Sequence, residues 1–344
     1  MVIRMCRCAV KMKRTDHLDS SYLLNYLSLI AMVSLVTCAG LVQAGEVSRN
    51  SSLSDSLLRL QLHKWAHGAK DCSLNEDAAI EVFRYTQSTY ILRQNKCLSF
   101  EAPFMYLFIG EKKSLLVDAG AAASAEDFPL YETLNALIGE STEHSKRTLL
   151  VIHSHGHGDH NAGDFQFEEM PGVTLVAPRG EAMAEYFNFK DWPTEEASID
   201  LGGRKITVIP TPGHQEEAIT IYDAQTKWLL TGDTIYPGLI YVKDWKDYRQ
   251  SIARLDSFSA SHEVSAVLGA HIEMTNNPGE YYPIGSTYQP EEASLLLTLK
   301  DLLALNQALQ RSPKETKIMR DEYVVMPMNT LQKILSNLAR RLSR

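Results

Sequence analysis

The sequence lacks the biases that mark unusual classes of protein. Glycine supplies only 19 and proline 13 of its 344 residues, which excludes a collagen-like or low-complexity chain. Hydrophobic residues make up 44%, too few for a multi-span membrane protein and enough for a sizeable core. Positive charge is also scarce, because 34 Lys and Arg stand against 42 Asp and Glu, a net charge of −8. That balance argues against a general nucleic-acid binder, which needs a basic surface.

The N-terminus differs from the rest of the chain. Basic residues precede an apolar run over 22–36, and the small residues Val42 and Ala44 stand at the −3 and −1 positions before Gly45. The pattern predicts a secretory leader over residues 1–44 and a periplasmic or secreted protein. Cleavage would remove 5 basic and 2 acidic residues and leave a charge of −11. An uncleaved anchor, lipidation at Cys38 and a start at Met12 are the alternatives. The basic residues are Arg4, Arg7, Lys11, Lys13 and Arg14.

Cysteine is nearly absent from the predicted mature chain. Of the five cysteines, Cys6, Cys8 and Cys38 lie in the leader, so that only Cys72 and Cys97 remain. An even pair in an exported protein favours a disulfide, which would tie the N-terminal arm to the first strands. Two buried thiols are the alternative.

Strand-like and helix-like segments alternate along most of the chain. Residues 45–79 are predicted to form an N-terminal arm with a helix over Asp55–Ala66. Short runs rich in β-branched and aromatic residues then alternate with amphipathic stretches over 80–289, which predicts a layered α/β domain. A helical extension over 290–344 carries two amphipathic helices, one starting at its first residue and one over 329–344.

The most informative segment is HSHGHGDH, residues 153–160. It follows the apolar run 149–152, so the cluster lies where a buried strand enters a loop. Imidazole is the commonest protein ligand for zinc, and a carboxylate suits a second or harder ion. Gly156 and Gly158 let the loop turn tightly enough for several side chains to converge. Four histidines and an aspartate within eight residues predict a metal site, because packing alone does not explain them.

Three later residues also follow apolar, strand-like runs. His214 follows KITVIPTPG, Asp233 follows KWLLTG, and His271 follows VSAVLGA. Strand ends of a layered α/β fold can gather at one edge, where ligands bind. A capping or packing role would explain each residue alone, but together with the cluster they predict two metal centres.

The ordered pattern His-x-His-x-Asp-His, a distant His, Gly-Asp-Thr and Gly-x-His resembles the metallo-β-lactamase superfamily. The resemblance implies an αββα sandwich over 80–289 with metal bound at the sheet edge. Asp159 and His160 fix the register of the pattern, which leaves His153 one step early, in a supporting or substrate-facing position. Asp118 in LLVDAG matches the early Asp that supports the site by hydrogen bonding in this superfamily.

The resemblance also implies a ligand set and a nucleophile. It implies two zinc ions, with iron or manganese as alternative metals. A hydroxide shared by the metals would attack the substrate, oriented by Asp159, because coordination lowers the pKa of water to about 7. Site one would use His155, His157 and His214, site two would use Asp159, His160 and His271, and Asp233 would bridge both.

The branch of the superfamily follows from residues near Asp233. TGDT resembles glyoxalase II, lactonase and arylsulfatase-like branches, which implies a hydrolase of a small ester, lactone, thioester or amide. Tyr236 resembles the Tyr that holds the substrate carbonyl in acyl-homoserine lactonases, with an ordinary pocket wall as the alternative. A mononuclear-iron enzyme similar to persulfide dioxygenases and a periplasmic β-lactamase are the alternative functions.

The expected partners are few. The sequence predicts a small-molecule substrate, no nucleic acid and no stable membrane span after leader cleavage. The apolar face of residues 295–309 is large enough for a homodimer contact.

Overall fold

The computed structural model of the chain describes residues 53–140 and 148–342. The predicted leader therefore lies outside the described residues. From Asp55 onwards the chain forms one compact unit. Among the helices of the described ranges, none combines the length and the apolar character that crossing a bilayer requires.

The first sheet has six strands in the order in which they occur along the chain. Its first four strands are antiparallel neighbours, and the last two continue in parallel. Helix α2 supplies the crossover that a parallel connection needs. The strands are β1 Ile80–Thr86, β2 Thr89–Gln94, β3 Phe104–Ile109, β4 Lys113–Val117, β5 Thr148–Ile152 and β6 Val173–Leu175; α1 spans 53–62 and α2 Leu130–Glu140.

The second sheet also has six strands, in the order β13-β12-β10-β9-β8-β7. All neighbours are antiparallel except β10 and β12, which run parallel and are joined through α5. The strands are β7 Ala197–Asp200, β8 Lys205–Pro210, β9 Ile219–Asp223, β10 Trp228–Gly232, β12 Ala266–Gly269 and β13 Leu296–Leu297; the short α3 is Gly158–Asn161, α4 Gly180–Phe187 and α5 Trp245–Ser259.

The two sheets pack face to face with helices outside them. Trp228 of β10 reaches the first sheet, where its ring lies 4.3 Å from that of Tyr85 and 6.4 Å from that of Phe108. Helix α2 covers the first sheet, and α5 and a later helix, α6 (Leu299–Arg311), cover the second, in two separate apolar clusters. Strands β2 and β3 are buried along their whole length because both of their faces are covered. The α/β sandwich predicted from the sequence is confirmed.

A buried ion pair of the second sheet also contacts the first sheet through Arg204. The Arg204 guanidinium donates to both carboxylate oxygens of Asp223, over 2.9 and 2.7 Å. It also donates to the Ser88 carbonyl oxygen and to Thr89 Oγ1 at the start of β2. Asp223 is completely buried, so protein groups and not water must compensate its negative charge.

The C-terminal region contains strands as well as helices. The helix predicted from residue 290 is wrong at its start, because α6 spans only Leu299–Arg311. The preceding residues have other partners, since Glu292 pairs with Arg93 and β13 closes the edge of the second sheet. A third sheet that the strand patterns did not predict joins β11, β15 and β14. Its strands are Leu239–Val242 (β11), Ile318–Met319 (β14) and Val324–Pro327 (β15), followed by α7, Thr330–Leu342.

Arg93 and Glu292 form a second buried ion pair, between residues 199 apart in the sequence. Both guanidinium Nη atoms donate to the carboxylate over 2.6 Å. Arg93 also donates to the Ala66 carbonyl oxygen, and Glu81 accepts from the Ala66 N–H. The backbone of Ala66 is thereby held in an extended segment, which is why the predicted helix end at Ala66 is wrong and α1 stops at residue 62.

The arm is also held by a disulfide between Cys72 and Cys97, which follows β2. We expect the Cys72→Ser/Cys97→Ser double variant to lose about 3 kcal/mol of unfolding free energy, because the unfolded chain regains the entropy of the open loop. Denaturant unfolding followed by circular dichroism measures this loss. A reducing agent should lower the stability of the wild-type protein and leave that of the variant unchanged; equal stabilities of the two oxidised proteins would contradict the prediction.

Candidate metal centre

The loop after β5 brings four histidines and an aspartate to the edge of the sandwich. His157 precedes α3, so that the helix starts inside the cluster and carries Asp159 and His160 in its first turn. Gly232, at the end of β10, packs against the same loop with φ of 49°, and a Cβ there would lie 2.5 Å from Ser154 Cβ. Glycine at this position therefore lets Asp233 approach the histidines.

The first group of converging donors consists of three imidazoles and one carboxylate. His157 Nδ1 lies 3.0 Å from His155 Nε2 and 3.1 Å from His214 Nε2. Asp233 Oδ2 lies 3.8 Å from His155 Nε2 and 3.5 Å from His214 Nε2. These are the four residues that the sequence assigned to site one and to the bridge.

The second group consists of two imidazoles and two carboxylates. His160 Nε2 lies 3.2 Å from Asp159 Oδ2 and 3.5 Å from Asp233 Oδ1. His271 Nε2 lies 3.3 Å from Asp159 Oδ2, 3.4 Å from Asp233 Oδ1 and 3.4 Å from His160 Nε2. The two oxygens of Asp233 thus face different groups, as a bridging carboxylate requires.

The spacing and chemistry of both groups fit metal ions. A tetrahedral zinc site with ligand distances of 2.0–2.1 Å has donor atoms about 3.3 Å apart, close to the separations in both groups. Asp233 Oδ1 is buried, and it has no hydrogen-bond partner among the described residues. A buried carboxylate oxygen without a partner is costly unless a cation compensates it. The residues present therefore suit two cations that share Asp233.

Charge in the centre is divided between the two groups. Burial lowers the pKa of His155 far below its ordinary value, and burial with the nearby His214 lowers that of His157 to about 3. Burial also opposes the charge of His160, but Asp159, Asp118 and Asp233 outweigh it and raise its pKa. His155 and His157 are therefore neutral imidazoles, the form that binds metal.

Hydrogen bonds on the far side of the rings orient the second group. Asp118 accepts from the Ser154 N–H over 2.7 Å and from Ser154 Oγ over 2.9 Å, and its Oδ2 lies 3.0 Å from His160 Nδ1. His271 Nδ1 donates to the Glu101 carbonyl oxygen over 3.0 Å. These contacts leave Nε2 of both histidines directed into the centre, the arrangement that metal-binding histidines usually have. Asp118 thus has the supporting geometry that the sequence suggested.

Contacts of the same kind orient the first group. His214 Nδ1 donates to the Tyr241 carbonyl oxygen over 2.7 Å, and Ser154 Oγ lies 3.2 Å from His155 Nδ1. His157 is reversed, since its Nδ1 faces the group and its Nε2 lies 2.9 Å from Ser336 Oγ of α7. Gln215 Nε2 donates to Ser336 Oγ over 2.7 Å. The C-terminal helix therefore reaches the metal centre.

Like Asp118, two further predicted site residues lie outside both groups. His153 is buried, and its ring contacts the Val176 carbonyl oxygen and the Asp164 carboxylate, so it supports the loop and is not substrate-facing. Tyr236 packs 5.5 Å from the His271 ring, but its hydroxyl donates to the Leu239 carbonyl oxygen over 2.6 Å. Because the hydroxyl proton is used in that bond, the structure favours a role for Tyr236 in the pocket wall over a catalytic role.

A cavity of about 780 Å³ opens beside the metal loop. Gly156 and Asn161 form its inner side, and Arg179, Trp192 and Glu217 contribute to the rest of its lining. Glu217 also accepts a hydrogen bond from the Gly156 N–H over 3.1 Å. The volume of this cavity is within the usual range for pockets that hold small molecules.

The family of the chain follows from a match over residues 99–305 to the metallo-beta-lactamase superfamily. The chain belongs to this superfamily. The matched range includes all seven residues of the two donor groups, so membership and geometry point to the same site. The superfamily resemblance seen in the sequence is confirmed, and the chain is a hydrolase of this superfamily with His and Asp clusters suited to metal ions.

Characterised relatives in the superfamily include two kinds of hydrolase. An acyl-coenzyme A thioesterase MBLAC2 from Gallus gallus is 28% identical over 49% of this chain and 72% of its own length. A hydroxyacylglutathione hydrolase from Rhizobium meliloti is 26% identical over 37% of this chain and 53% of its own length. The chain thus spans about half of the bacterial relative. A solved metallo-beta-lactamase from Pontibacter korlensis is 18% identical, with a TM-score of 0.43 over 68% of this chain and all of its own.

The sequence did not reveal the residues that orient the ligands through distant contacts. Ser154 lies inside the predicted cluster, and its position between two histidines was an available signal. Glu101, Tyr241 and Ser336 had no such signal, because two of them act through backbone carbonyls and the third comes from a helix far along the chain.

Proposed function

We propose that the protein is a dinuclear metal-dependent thioester hydrolase. The observation that carries the proposal is the pair of four-donor groups that share Asp233. The two kinds of relative support the substrate class, because acyl-coenzyme A and hydroxyacylglutathione are both thioesters. Among the ester, lactone, thioester and amide substrates that the sequence suggests, the thioester is the one that both names share.

The side chains divide the work of the reaction between them. Bound metal ions would supply a lowered pKa for a coordinated water and polarisation of the substrate carbonyl. His155, His157 and His214 would hold one ion, and His160 and His271 with Asp159 the other, while Asp233 would hold both. Asp159, at the N-terminus of α3, would also accept a hydrogen bond from the attacking water and orient it. Burial raises the pKa of its carboxyl group, but His160 and His271 lower that pKa by more, so the carboxylate stays ionised.

The geometry favours two ions over the mononuclear-iron alternative. A single-metal site would leave one of the two groups of converging donors without an ion, although both groups have donor atoms at the spacing that an ion needs. Nothing in the described residues favours a β-lactam substrate specifically.

We also propose that the protein is exported. The leader-like sequence supports this location, and the Cys72–Cys97 disulfide supports it independently, because such bonds persist in oxidising compartments.

The proposal is tested by a substrate panel on zinc-loaded protein with its zinc content measured, and by metal analysis and oxygen uptake on protein purified without added metal. We expect two zinc ions per chain, and a kcat/KM for acyl-coenzyme A or lactoylglutathione at least about tenfold above that for oxygen esters of the same acyl groups. Thiol release with a colorimetric reagent measures the thioesters, and nitrocefin and a homoserine lactone complete the panel. One iron per chain with oxygen uptake, or a preference for nitrocefin, would overturn the proposal.

A further inference from the structure

Helix α7 exposes its apolar side chains. Leu331, Ile334, Leu335 and Leu338 follow helical spacing, and each of them is between 50% and 63% exposed. Four large apolar residues on one face of a three-turn helix form a continuous patch, whereas scattered surface leucines would not.

The polar side of α7 is the side that faces the protein. Ser336 contacts His157 and Gln215, and Lys243 Nζ donates to the side-chain oxygen of Asn337. Lys333 lies 3.2 Å from Glu315 in an ion pair. An amphipathic surface helix normally buries its apolar stripe against the core, so α7 is inverted. Hydrogen bonds hold it at the metal centre and leave the stripe for another partner.

The charge of the C-terminal segment indicates what kind of partner covers the apolar face of α7. From Tyr323 to the last residue the sequence has no Asp or Glu, although the whole chain carries a net charge of −8. Four basic residues lie in this stretch: Lys333, Arg340, Arg341 and Arg344. Two copies of α7 packed on each other would bring these like charges together. An anionic lipid surface complements both the basic charge and the apolar face.

We propose that α7 docks the protein on an anionic lipid surface. The apolar face would enter the boundary between headgroups and acyl chains, and the positive net charge of the sequence from Tyr323 onwards would attract anionic headgroups. Because Ser336 of the same helix contacts His157, the docked surface would lie next to the metal centre. This inference does not depend on the thioester proposal, since it concerns where the protein binds and not what it cleaves.

Vesicle sedimentation of the full chain tests the proposal. We expect the protein to bind vesicles of phosphatidylcholine mixed with phosphatidylglycerol, to bind pure phosphatidylcholine more weakly, and to be released by salt. The Leu335→Gln/Leu338→Gln variant should bind the mixed vesicles at least about tenfold more weakly, because two apolar side chains are lost from the buried face. Leu62→Gln/Leu74→Gln removes two even more exposed leucines outside α7 and should bind like the wild type.

Three outcomes would overturn the proposal. Equal binding of the α7 variant and the wild type would assign any lipid affinity to another segment, such as the apolar run over residues 22–36. Absence of binding to both kinds of vesicle would remove the lipid surface as the partner. The third outcome is a wild-type protein that is a dimer in light scattering and does not bind vesicles, with an α7 variant that is a monomer. It would show that a second copy of the chain covers the apolar face. Circular dichroism and zinc content should be unchanged in the variant, since both leucines are exposed.

Discussion

Asp233→Ala should lower kcat/KM by at least about 10³-fold and remove both metal ions from a protein that stays folded. Asp233 is the carboxylate that both donor groups share, so its loss leaves each group with three donors instead of four. Single ligand changes should be graded, because His157→Ala affects only the first group and Asp159→Ala only the second. We therefore expect one ion to remain in each of those variants and none in Asp233→Ala.

Metal analysis, circular dichroism and kinetics on the same samples check this order. Asp164→Ala is the matched control, because Asp164 pairs with His153, the histidine of the cluster that lies outside both groups. That variant should keep the metal content of the wild type. Two bound ions in Asp233→Ala would mean that the carboxylate does not bridge the groups.

Asp223→Ala should cost about 3–5 kcal/mol of unfolding free energy, the usual penalty for leaving one partner of a buried ion pair unpaired. Burial is nearly complete at both residues, and the Arg204 guanidinium would keep only the Ser88 and Thr89 oxygens as acceptors. Thr226, whose N–H and hydroxyl both donate to Asp223, would lose its acceptor as well. We expect the damage to be centred on the second sheet, because both partners belong to it and Arg204 keeps its bonds to Ser88 and Thr89 of the first.

Denaturant unfolding of the Asp223→Ala and Glu263→Ala variants compares their losses of unfolding free energy. Glu263 pairs with Lys227 in a largely exposed ion pair, whose loss should cost less than about 1 kcal/mol. Equal losses in the two variants would show that burial does not govern the strength of these pairs here.

The sequence predicted the fold and the position of the centre because both depend on local patterns. Each ligand follows an apolar run that forms a strand, and strand ends meet at one edge, so the ligand positions followed from chain order. The ordered pattern that starts at His155 and ends at His271 indicated the superfamily, and the match over 99–305 confirms it.

The errors arose where distant partners decide the local structure. Residues 290–297 have helical periodicity, but Glu292 is paired with Arg93 and Leu297 is buried at the edge of a sheet. Strands β14 and β15 are short, so their pattern is too brief to separate from a loop. The inward contact of Ser336 runs against the amphipathic pattern of α7, which predicts that the leucines face the core.

The ion pair between Arg93 and Glu292 also has a consequence for the order of folding. Its members are separated by 199 residues, so during synthesis the first sheet is complete long before the acceptor of Arg93 exists. Contacts between residues so far apart in the sequence form late and slow folding. A nascent chain that stops short of Glu292 therefore lacks the carboxylate with which Arg93 is paired in the folded protein.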